Sequence, residues 1–118
     1  MLRKFIFQCA GLYPTNNADT NKFILEDCMA NILVVEDEKM AKAIEPYRNQ
    51  LPHLKCIIVY DGKISENSND VISWQDVMRI GKENRDETEM LRRQRNMAIN
   101  ECCILVYTSG TTGNPKGN

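Results

Sequence analysis

Residues 103–118, CILVYTSGTTGNPKGN, form the stretch of sequence that decides the fold. The first five residues are apolar, uncharged and partly β-branched, which predicts a buried strand. The residues that follow are rich in glycine and in hydroxyl-bearing side chains. A loop of this composition directly after a strand is typical of α/β proteins, whose ligands bind at the ends of the strands.

The loop combines three kinds of group that suit a polyphosphate. Gly110, Gly113 and Gly117 can adopt positive φ angles, which allows backbone N–H groups to converge on one point. The hydroxyl groups belong to Thr108, Ser109, Thr111 and Thr112, and the cation belongs to Lys116. A surface turn would explain any three of these residues, but not their combination at the end of a strand.

The spacing within the loop excludes two common nucleotide-binding motifs. A Walker A loop requires GxxxxGK followed by Ser or Thr, whereas Gly117 occupies the place of that magnesium-binding hydroxyl. The GxGxxG fingerprint of dinucleotide-binding proteins is also absent. A hydride-transfer enzyme therefore has no support.

Upstream, strand and helix patterns alternate. Runs 32–35 (ILVV) and 56–60 (CIIVY) predict further strands that are covered on both faces. Three helices are predicted between and after them: residues 18–30 with Asn17 as N-cap, residues 38–50 with Asp37 as N-cap, and a helix that starts at Ser73 with Asp76 in a capping-box position and buries Trp74, Val77 and Met78. This alternation predicts an α/β fold with a three-layer, mostly parallel sheet and flanking helices.

Composition narrows the class of protein further. The 118 residues suffice for one domain, and 15 Lys+Arg against 16 Asp+Glu leave no positive field that would attract nucleic acid. The five cysteines form no CxxC pair and the chain has a single histidine, which argues against a disulfide framework and a zinc site. We expect most of these cysteines to be free, buried thiols. We expect the mixed-charge segment 81–100 to be a solvated helix or loop. No transmembrane segment is predicted.

Position by position, residues 107–117 resemble the phosphate-binding loop of the acyl-adenylate-forming (AMP-binding) enzymes, whose usual form is Tyr-Thr-Ser-Gly-Thr-Thr-Gly-x-Pro-Lys-Gly. Most of the chain upstream resembles the long-chain acyl-CoA synthetases of the bubblegum type, with weaker similarity over residues 1–9 and 90–101. The stretches that carry this similarity are GLYPTN at 11–16, NILVVED at 31–37, QLPHLK at 50–55, YDG at 60–62 and SW at 73–74.

The resemblance implies an ATP-dependent ligase. In such enzymes a fatty-acid carboxylate attacks the α-phosphate of ATP with the help of Mg²⁺, and the thiol of coenzyme A then displaces AMP. The loop residues implied to hold the β- and γ-phosphates are Thr108, Ser109, Gly110, Thr111, Thr112 and Gly113, with Lys116 steadying the loop or the phosphates. The resemblance assigns no catalytic residue and no metal ligand to this chain.

The other parts of the family's site follow Lys116 in family order: the adenine and ribose contacts, the magnesium-binding acid, the acyl tunnel and the catalytic lysine. We therefore expect residues 1–118 to form an incomplete AMP-binding synthetase/ligase domain that ends at the phosphate-binding loop and is inactive alone. For the complete enzyme the resemblance implies ATP, a long-chain fatty acid and coenzyme A as substrates. It also implies a cytoplasmic location, and it leaves peripheral association with the endoplasmic reticulum membrane open.

Two alternatives remain open. Residues 31–38 (NILVVEDE) look like the opening of a response-regulator receiver domain, in which acids at a strand end hold Mg²⁺. However, no aspartate follows a buried strand after Ser73, and Glu36, Asp37 and Glu38 are more typical of a helix N-terminus. The second alternative is a truncated paralogue that binds no ligand.

Overall fold

The computed structural model describes residues 8–65, 70–108 and 115–117. Strands alternate with helices over the first half of the chain, which confirms the predicted α/β class. The strands are β1 (Cys9–Ala10), β2 (Ile32–Val35), β3 (Cys56–Val59), β4 (Val71–Ser73), β5 (Ile104–Leu105), β6 (Tyr107–Thr108) and β7 (Lys116–Gly117). The helices are α1 (Ala18–Asp27), α2 (Glu38–Ile44), α3 (Trp74–Glu83) and α4 (Glu87–Arg95), and a 3₁₀ helix (Glu45–Gln50) directly follows α2.

The predicted parallel pairing is confirmed in two places. Strands β2, β3 and β4 form a parallel sheet in sequential order, in which Leu33 pairs with Ile57. Strands β1 and β5 form a second parallel pair, whereas β6 and β7 are antiparallel. The glycine-rich loop therefore follows a parallel strand, β5, and is closed by a short antiparallel pair.

The hydrophobic core lies between the β2–β3–β4 sheet and the first two helices. Its buried residues are Leu25, Leu33, Ala41, Ile44, Leu51, Leu54, Ile57 and Val59. Helix α3 contacts β3 and β4. The core thus takes one stripe from each of α1 and α2 and the inward-facing residues of β2 and β3.

The prediction that the apolar strands are covered on both faces is correct for β3 and wrong for β2. It is also wrong for residues 103–107, which are divided between β5 and β6 and in which Ile104 and Val106 are 55% and 43% exposed. Ile57, Ile58 and Val59 are all buried in the central strand. In β2, Leu33 is 4% exposed, but its neighbour Val34 is 50% exposed. Strand β2 lies at the edge of the sheet, and no described element covers its outward-facing side chains.

Helix α2 is shorter than the predicted helix over residues 38–50. Asp37 is the N-cap as predicted, because its carboxylate accepts a hydrogen bond from the Met40 N–H at 2.8 Å. The α-helix ends at Ile44, and Pro46 lies in the first turn of the 3₁₀ helix that follows. Proline has no N–H to donate to the preceding turn, so Pro46 breaks the α-helical hydrogen-bond pattern.

Helix α1 begins as predicted and ends three residues early. Asn17 caps it by accepting a hydrogen bond from the Thr20 N–H at 2.8 Å. The helix stops at Asp27 because Met29 has a left-handed backbone (φ 50°). The Met29 N–H donates to the Glu26 carbonyl, and the Ala30 N–H donates to the Leu25 carbonyl. This pair of bonds is a Schellman motif.

The N-terminus of α3 is correctly predicted, but its buried face is not. The Ser73 hydroxyl caps the helix by accepting a hydrogen bond from the Asp76 N–H, and it also donates to the Asp76 carboxylate at 2.6 Å. Trp74 and Met78 were predicted to be buried and are 44% and 49% exposed, whereas Val77 is half-buried. No element in the described ranges packs against the side of α3 that bears Trp74 and Met78.

Of the remaining predictions, some are confirmed and one is wrong. Helix α4 is a solvated helix with ion pairs from Glu89 to two arginines, as the mixed charge of residues 81–100 predicts. All cysteines are free as predicted, but Cys9, Cys102 and Cys103 are exposed rather than buried. They flank or begin two-residue strands, which are too short to be covered. Over the described ranges, no helix is long and apolar enough to cross a membrane.

Candidate functional site

Strands β6 and β7 bring the two ends of the glycine-rich loop together. In this antiparallel pair, Thr108 lies opposite Lys116, and Tyr107 lies opposite Gly117. Side chains that are directly opposite in an antiparallel pair project from the same face, with Cβ atoms about 4.5–5.5 Å apart. The structure therefore places the first hydroxyl of the loop beside its cation, and both side chains are exposed to solvent.

Of the seven predicted site residues, the structure describes these two. Thr108 and Lys116 are brought together, as a shared ligand requires. The other five predicted residues lie outside the described residues: Ser109, Gly110, Thr111, Thr112 and Gly113. The described part of the site is therefore the base of the loop.

Tyr107 is the buried residue of this base. Its side chain is 3% exposed, and its ring lies against Gly117. A Cβ atom on Gly117 would stand 3.1 Å from two ring carbons of Tyr107. The sequence suggests a positive φ as the reason for glycine at this position, but the described glycine with a positive φ is Gly62. Gly117 is instead required because the Tyr107 ring occupies the space of a side chain.

The hydroxyl of Tyr107 ties the base of the loop to the first helix. It donates a hydrogen bond to Asp27 Oδ2 at 2.6 Å across 80 residues of sequence. Burial, followed by the hydrogen bond to the Asp27 carboxylate, raises the pKa of Tyr107 well above its usual value. The phenol therefore stays protonated and remains a donor at physiological pH.

The hydrogen bond between Tyr107 and Asp27 could not be deduced from the sequence, although each of the two residues carries a signal that it needs a partner. A tyrosine on a buried strand needs a partner for its hydroxyl. Asp27 is the last residue of α1, where a negative charge is unfavourable to the helix dipole and needs another explanation. Neither signal identifies the partner, because the two residues are distant in the sequence.

The described residues offer no metal site. They contain no group of three or more His, Cys, Asp and Glu side chains that could hold a metal ion. The acids after β2 have structural roles: Asp37 caps α2, and Glu38 accepts hydrogen bonds from the backbone and hydroxyl of Ser65. His53 is exposed to solvent.

Comparison with known proteins assigns the family. A model of the AMP-binding enzymes, described as "AMP-binding enzyme", matches residues 7–118. The chain belongs to the AMP-binding enzyme family. The resemblance of residues 107–117 to the phosphate-binding loop of this family is thus accompanied by similarity over nearly the whole chain.

Curated relatives and a solved structure agree with this assignment. The chain is 40% identical over 107 residues to the long-chain-fatty-acid–CoA ligase ACSBG2 of Xenopus laevis. This match covers 91% of this chain and 14% of that ligase. It is 36% identical over 109 residues to ACSBG1 of Rattus norvegicus, covering 91% of this chain and 15% of that ligase. The crystal structure of the anthranilate CoA ligase AuaEII, in complex with anthranoyl-AMP, matches with a TM-score of 0.64 and 27% identity over 92% of this chain and 19% of that one.

These similarities confirm the predicted resemblance to bubblegum-type long-chain acyl-CoA synthetases. They do not favour a receiver domain. The chain spans about a seventh of the length of its curated relatives, since it covers 14% of the Xenopus laevis ligase. What it does by itself must therefore be argued from its own residues.

Proposed function

We propose that residues 107–117 form the ATP-phosphate-binding loop of a long-chain fatty-acid–CoA ligase. The observation that carries the proposal is the β6–β7 pair, which sets Thr108 beside Lys116 and closes a glycine- and hydroxyl-rich loop after a parallel strand. Ligands of parallel α/β sheets bind outside the carboxyl ends of the strands. Family membership over residues 7–118 supports the same role.

The proposed roles of the seven predicted site residues follow from their chemistry. Backbone N–H groups at Gly110 and Gly113, together with the hydroxyls of Thr108, Ser109, Thr111 and Thr112, donate hydrogen bonds to the β- and γ-phosphates. Lys116 supplies a positive charge at the base of the loop. Together these groups stabilise the charge that develops on the pyrophosphate leaving group when a fatty-acid carboxylate attacks the α-phosphate.

In the complete ligase the substrates would be ATP, a long-chain fatty acid and coenzyme A, with Mg²⁺ assisting adenylation. The protein would work in the cytoplasm, the location that the resemblance implies. Residues 1–118 would contribute an incomplete AMP-binding domain that ends at the phosphate loop. This division agrees with the 14% of the Xenopus laevis ligase that the chain spans.

The 118-residue chain alone is therefore expected to bind phosphate without completing the reaction. An assay of fatty-acid-dependent AMP release by the purified chain tests this separation of binding from turnover. The expected result is a rate equal to that of the buffer. Release that depends on both the chain and the fatty acid would show that the chain contains a complete site.

Phosphate binding itself is tested with three ligands. Isothermal titration should detect ATP and inorganic tripolyphosphate with similar dissociation constants, because the loop contacts phosphates and the family's adenine contacts come later in the sequence. AMP, which lacks the β- and γ-phosphates, should bind at least about tenfold more weakly. Equal binding of ATP and AMP would contradict the assignment of the loop to the β- and γ-phosphates.

Lys116→Ala is the matching variant, and Lys39→Ala is its control. Losing a hydrogen bond to a charged group corresponds to about tenfold in the dissociation constant, so Lys116→Ala should weaken tripolyphosphate binding by this factor. Lys39 is an exposed lysine on α2, and its replacement should leave binding unchanged. If the wild-type chain binds neither polyphosphate, the proposal fails and the truncated, ligand-free paralogue is the better account.

A further inference from the structure

We propose that Tyr107 is the positioning residue of the phosphate-binding loop, which it holds in register by joining the loop's base to the C-terminal end of α1 through Asp27. Part of this inference, the effect on ATP, rests on the proposed function. The mechanical link does not, because it concerns contacts within the described residues. Tyr107 acts through the loop and need not touch the nucleotide.

Three contacts define the link. The Tyr107 hydroxyl donates to Asp27 Oδ2 at 2.6 Å, which is short for a neutral donor and typical of a bond to a carboxylate. The ring of Tyr107 fills the space above Gly117. The backbone of Tyr107 pairs with Gly117, and that of Thr108 with Lys116. Tyr107, which belongs to one strand of the loop's base, therefore contacts the other strand and the first helix through its side chain.

The β6–β7 pair needs such an anchor because it is very short. Each strand has two residues, and an isolated two-stranded ribbon is marginally stable in water. Tyr107 is the buried side chain of this pair, whereas Thr108, Lys116 and Gly117 are exposed. Removing its hydroxyl bond should therefore loosen the register that places Thr108 beside Lys116.

The location of Asp27 favours a positioning role over a role in helix stability. A carboxylate at the C-terminal end of α1 faces the negative end of the helix dipole, which disfavours it. Because Asp27 ends the helix in which Ile24 and Leu25 are buried in the core, the hydrogen bond connects the loop to the firmly packed part of the molecule. The hydrogen bond therefore fixes the position of the loop's base relative to α1.

The chain contains a matched control. Tyr47 also donates its hydroxyl to an aspartate of α1, Asp19 Oδ1, at 2.7 Å. This second Tyr–Asp bond joins the 3₁₀ helix to the start of α1. Tyr107→Phe and Tyr47→Phe therefore remove the same chemical group and the same type of hydrogen bond, but at different places in the fold.

The experiment compares the full chain and these variants by hydrogen exchange without nucleotide and by titration with Mg-ATP. In Tyr107→Phe, the backbone amides of residues 104–108, 116 and 117 should exchange at least about tenfold faster than in the wild type, while those of α2 and β3 stay unchanged. The dissociation constant of Mg-ATP should rise about tenfold. Tyr47→Phe should change neither quantity at the loop.

Variants of Asp27 complete the test. Asp27→Asn keeps an acceptor oxygen for the Tyr107 hydroxyl and should stay within about threefold of the wild type in both measurements. Asp27→Ala should match Tyr107→Phe, and the double variant should be no worse than either single one, because all three remove one shared bond. Additive effects would show that the two residues act separately and would overturn the inference.

The outcomes separate the inference from the proposed function. If the wild type does not bind Mg-ATP, the proposed function fails, and exchange at the loop's base alone decides whether the link exists. If the wild type binds and Tyr107→Phe leaves both exchange and affinity unchanged, the inference is overturned and the proposed function stands. Equal effects of Tyr107→Phe and Tyr47→Phe at the loop would likewise overturn it, since general destabilisation would then explain both.

Discussion

Gly117 lies against the ring of Tyr107, and this contact limits what position 117 can hold. A Cβ atom there would be 3.1 Å from the ring, which is closer than ordinary van der Waals contact. The ring cannot withdraw without stretching the 2.6 Å hydrogen bond to Asp27. Gly117→Ala should therefore lower the free energy of unfolding by about 1–3 kcal/mol, measured by urea denaturation.

Gly81→Ala is the control for this prediction. Gly81 lies within α3, where an added Cβ atom would meet no atom within 4 Å. Alanine in the interior of a helix is favoured over glycine, so this variant should gain about 0.5–1 kcal/mol. A Gly117→Ala variant as stable as the wild type would contradict the close packing of Tyr107 against the loop's base.

Glu38 gives a prediction on pH. Hydrogen bonds from the hydroxyl and backbone N–H of Ser65, followed by Lys42, lower the pKa of Glu38 from 4.5 to about 2. Because the pKa is lower in the folded state, the stabilisation is fully present above pH 4.5 and is lost as the pH falls toward 2. The melting temperature of the wild type should exceed that of Glu38→Gln above pH 4.5, and the difference should shrink as the pH falls toward 2. A difference that persists unchanged into acid would contradict the assignment.

The helix starts show what the sequence predicts well. The N-caps Asn17, Asp37 and Ser73 are all correct, because each cap is a local interaction with a backbone N–H three residues later. The helix ends are predicted less well. Periodicity continued through Pro46 and through Met29, whose left-handed backbone has no glycine to signal it.

Asp37 tests the capping interaction. Asp37→Ala should lower the free energy of unfolding by about 1 kcal/mol, because the Met40 N–H loses its acceptor. Asp37→Asn keeps a side-chain oxygen and should remain close to the wild type. Since Ala41 and Ile44 of α2 lie in the core, the loss should be visible in the global urea transition. Equal stability of the alanine and asparagine variants would show that the cap contributes nothing.

At the scale of the whole molecule, the sequence predicts the fold class but not which apolar faces are covered. Alternating patterns are enough to indicate parallel strands with helices between them. Burial depends on which element packs against each face, so Val34 and Trp74 share apolar character with the core and are nevertheless exposed. The same reasoning applies to the site: the loop is recognisable from local composition, whereas its link to Asp27 spans 80 residues.

The molecule is also more open than a compact domain of its size. Its radius of gyration is 15.9 Å, compared with about 13 Å for a compact domain of about 100 residues. Ile32 and Val34 project from the edge strand β2 and are 47% and 50% exposed. An exposed apolar edge strand is a template for pairing with another chain.

We therefore expect the purified chain to self-associate or to be poorly soluble. Replacing both edge residues, Ile32→Thr with Val34→Thr, keeps β-branched side chains while removing apolar surface, and should shift the sedimentation profile toward the monomer. The matched control is Ile99→Thr, which changes a fully exposed residue outside the sheet. A wild-type chain that sediments as a monodisperse monomer would contradict this prediction.

The most direct test of phosphate binding is thermal unfolding of the purified chain, followed by circular dichroism, with and without Mg-ATP. A ligand at a hundred times its dissociation constant adds about 2.7 kcal/mol to the stability of the folded state. We expect a cooperative transition that moves to higher temperature with Mg-ATP in the wild type and moves much less in Lys116→Ala. A transition that is indifferent to Mg-ATP in the wild type would contradict it.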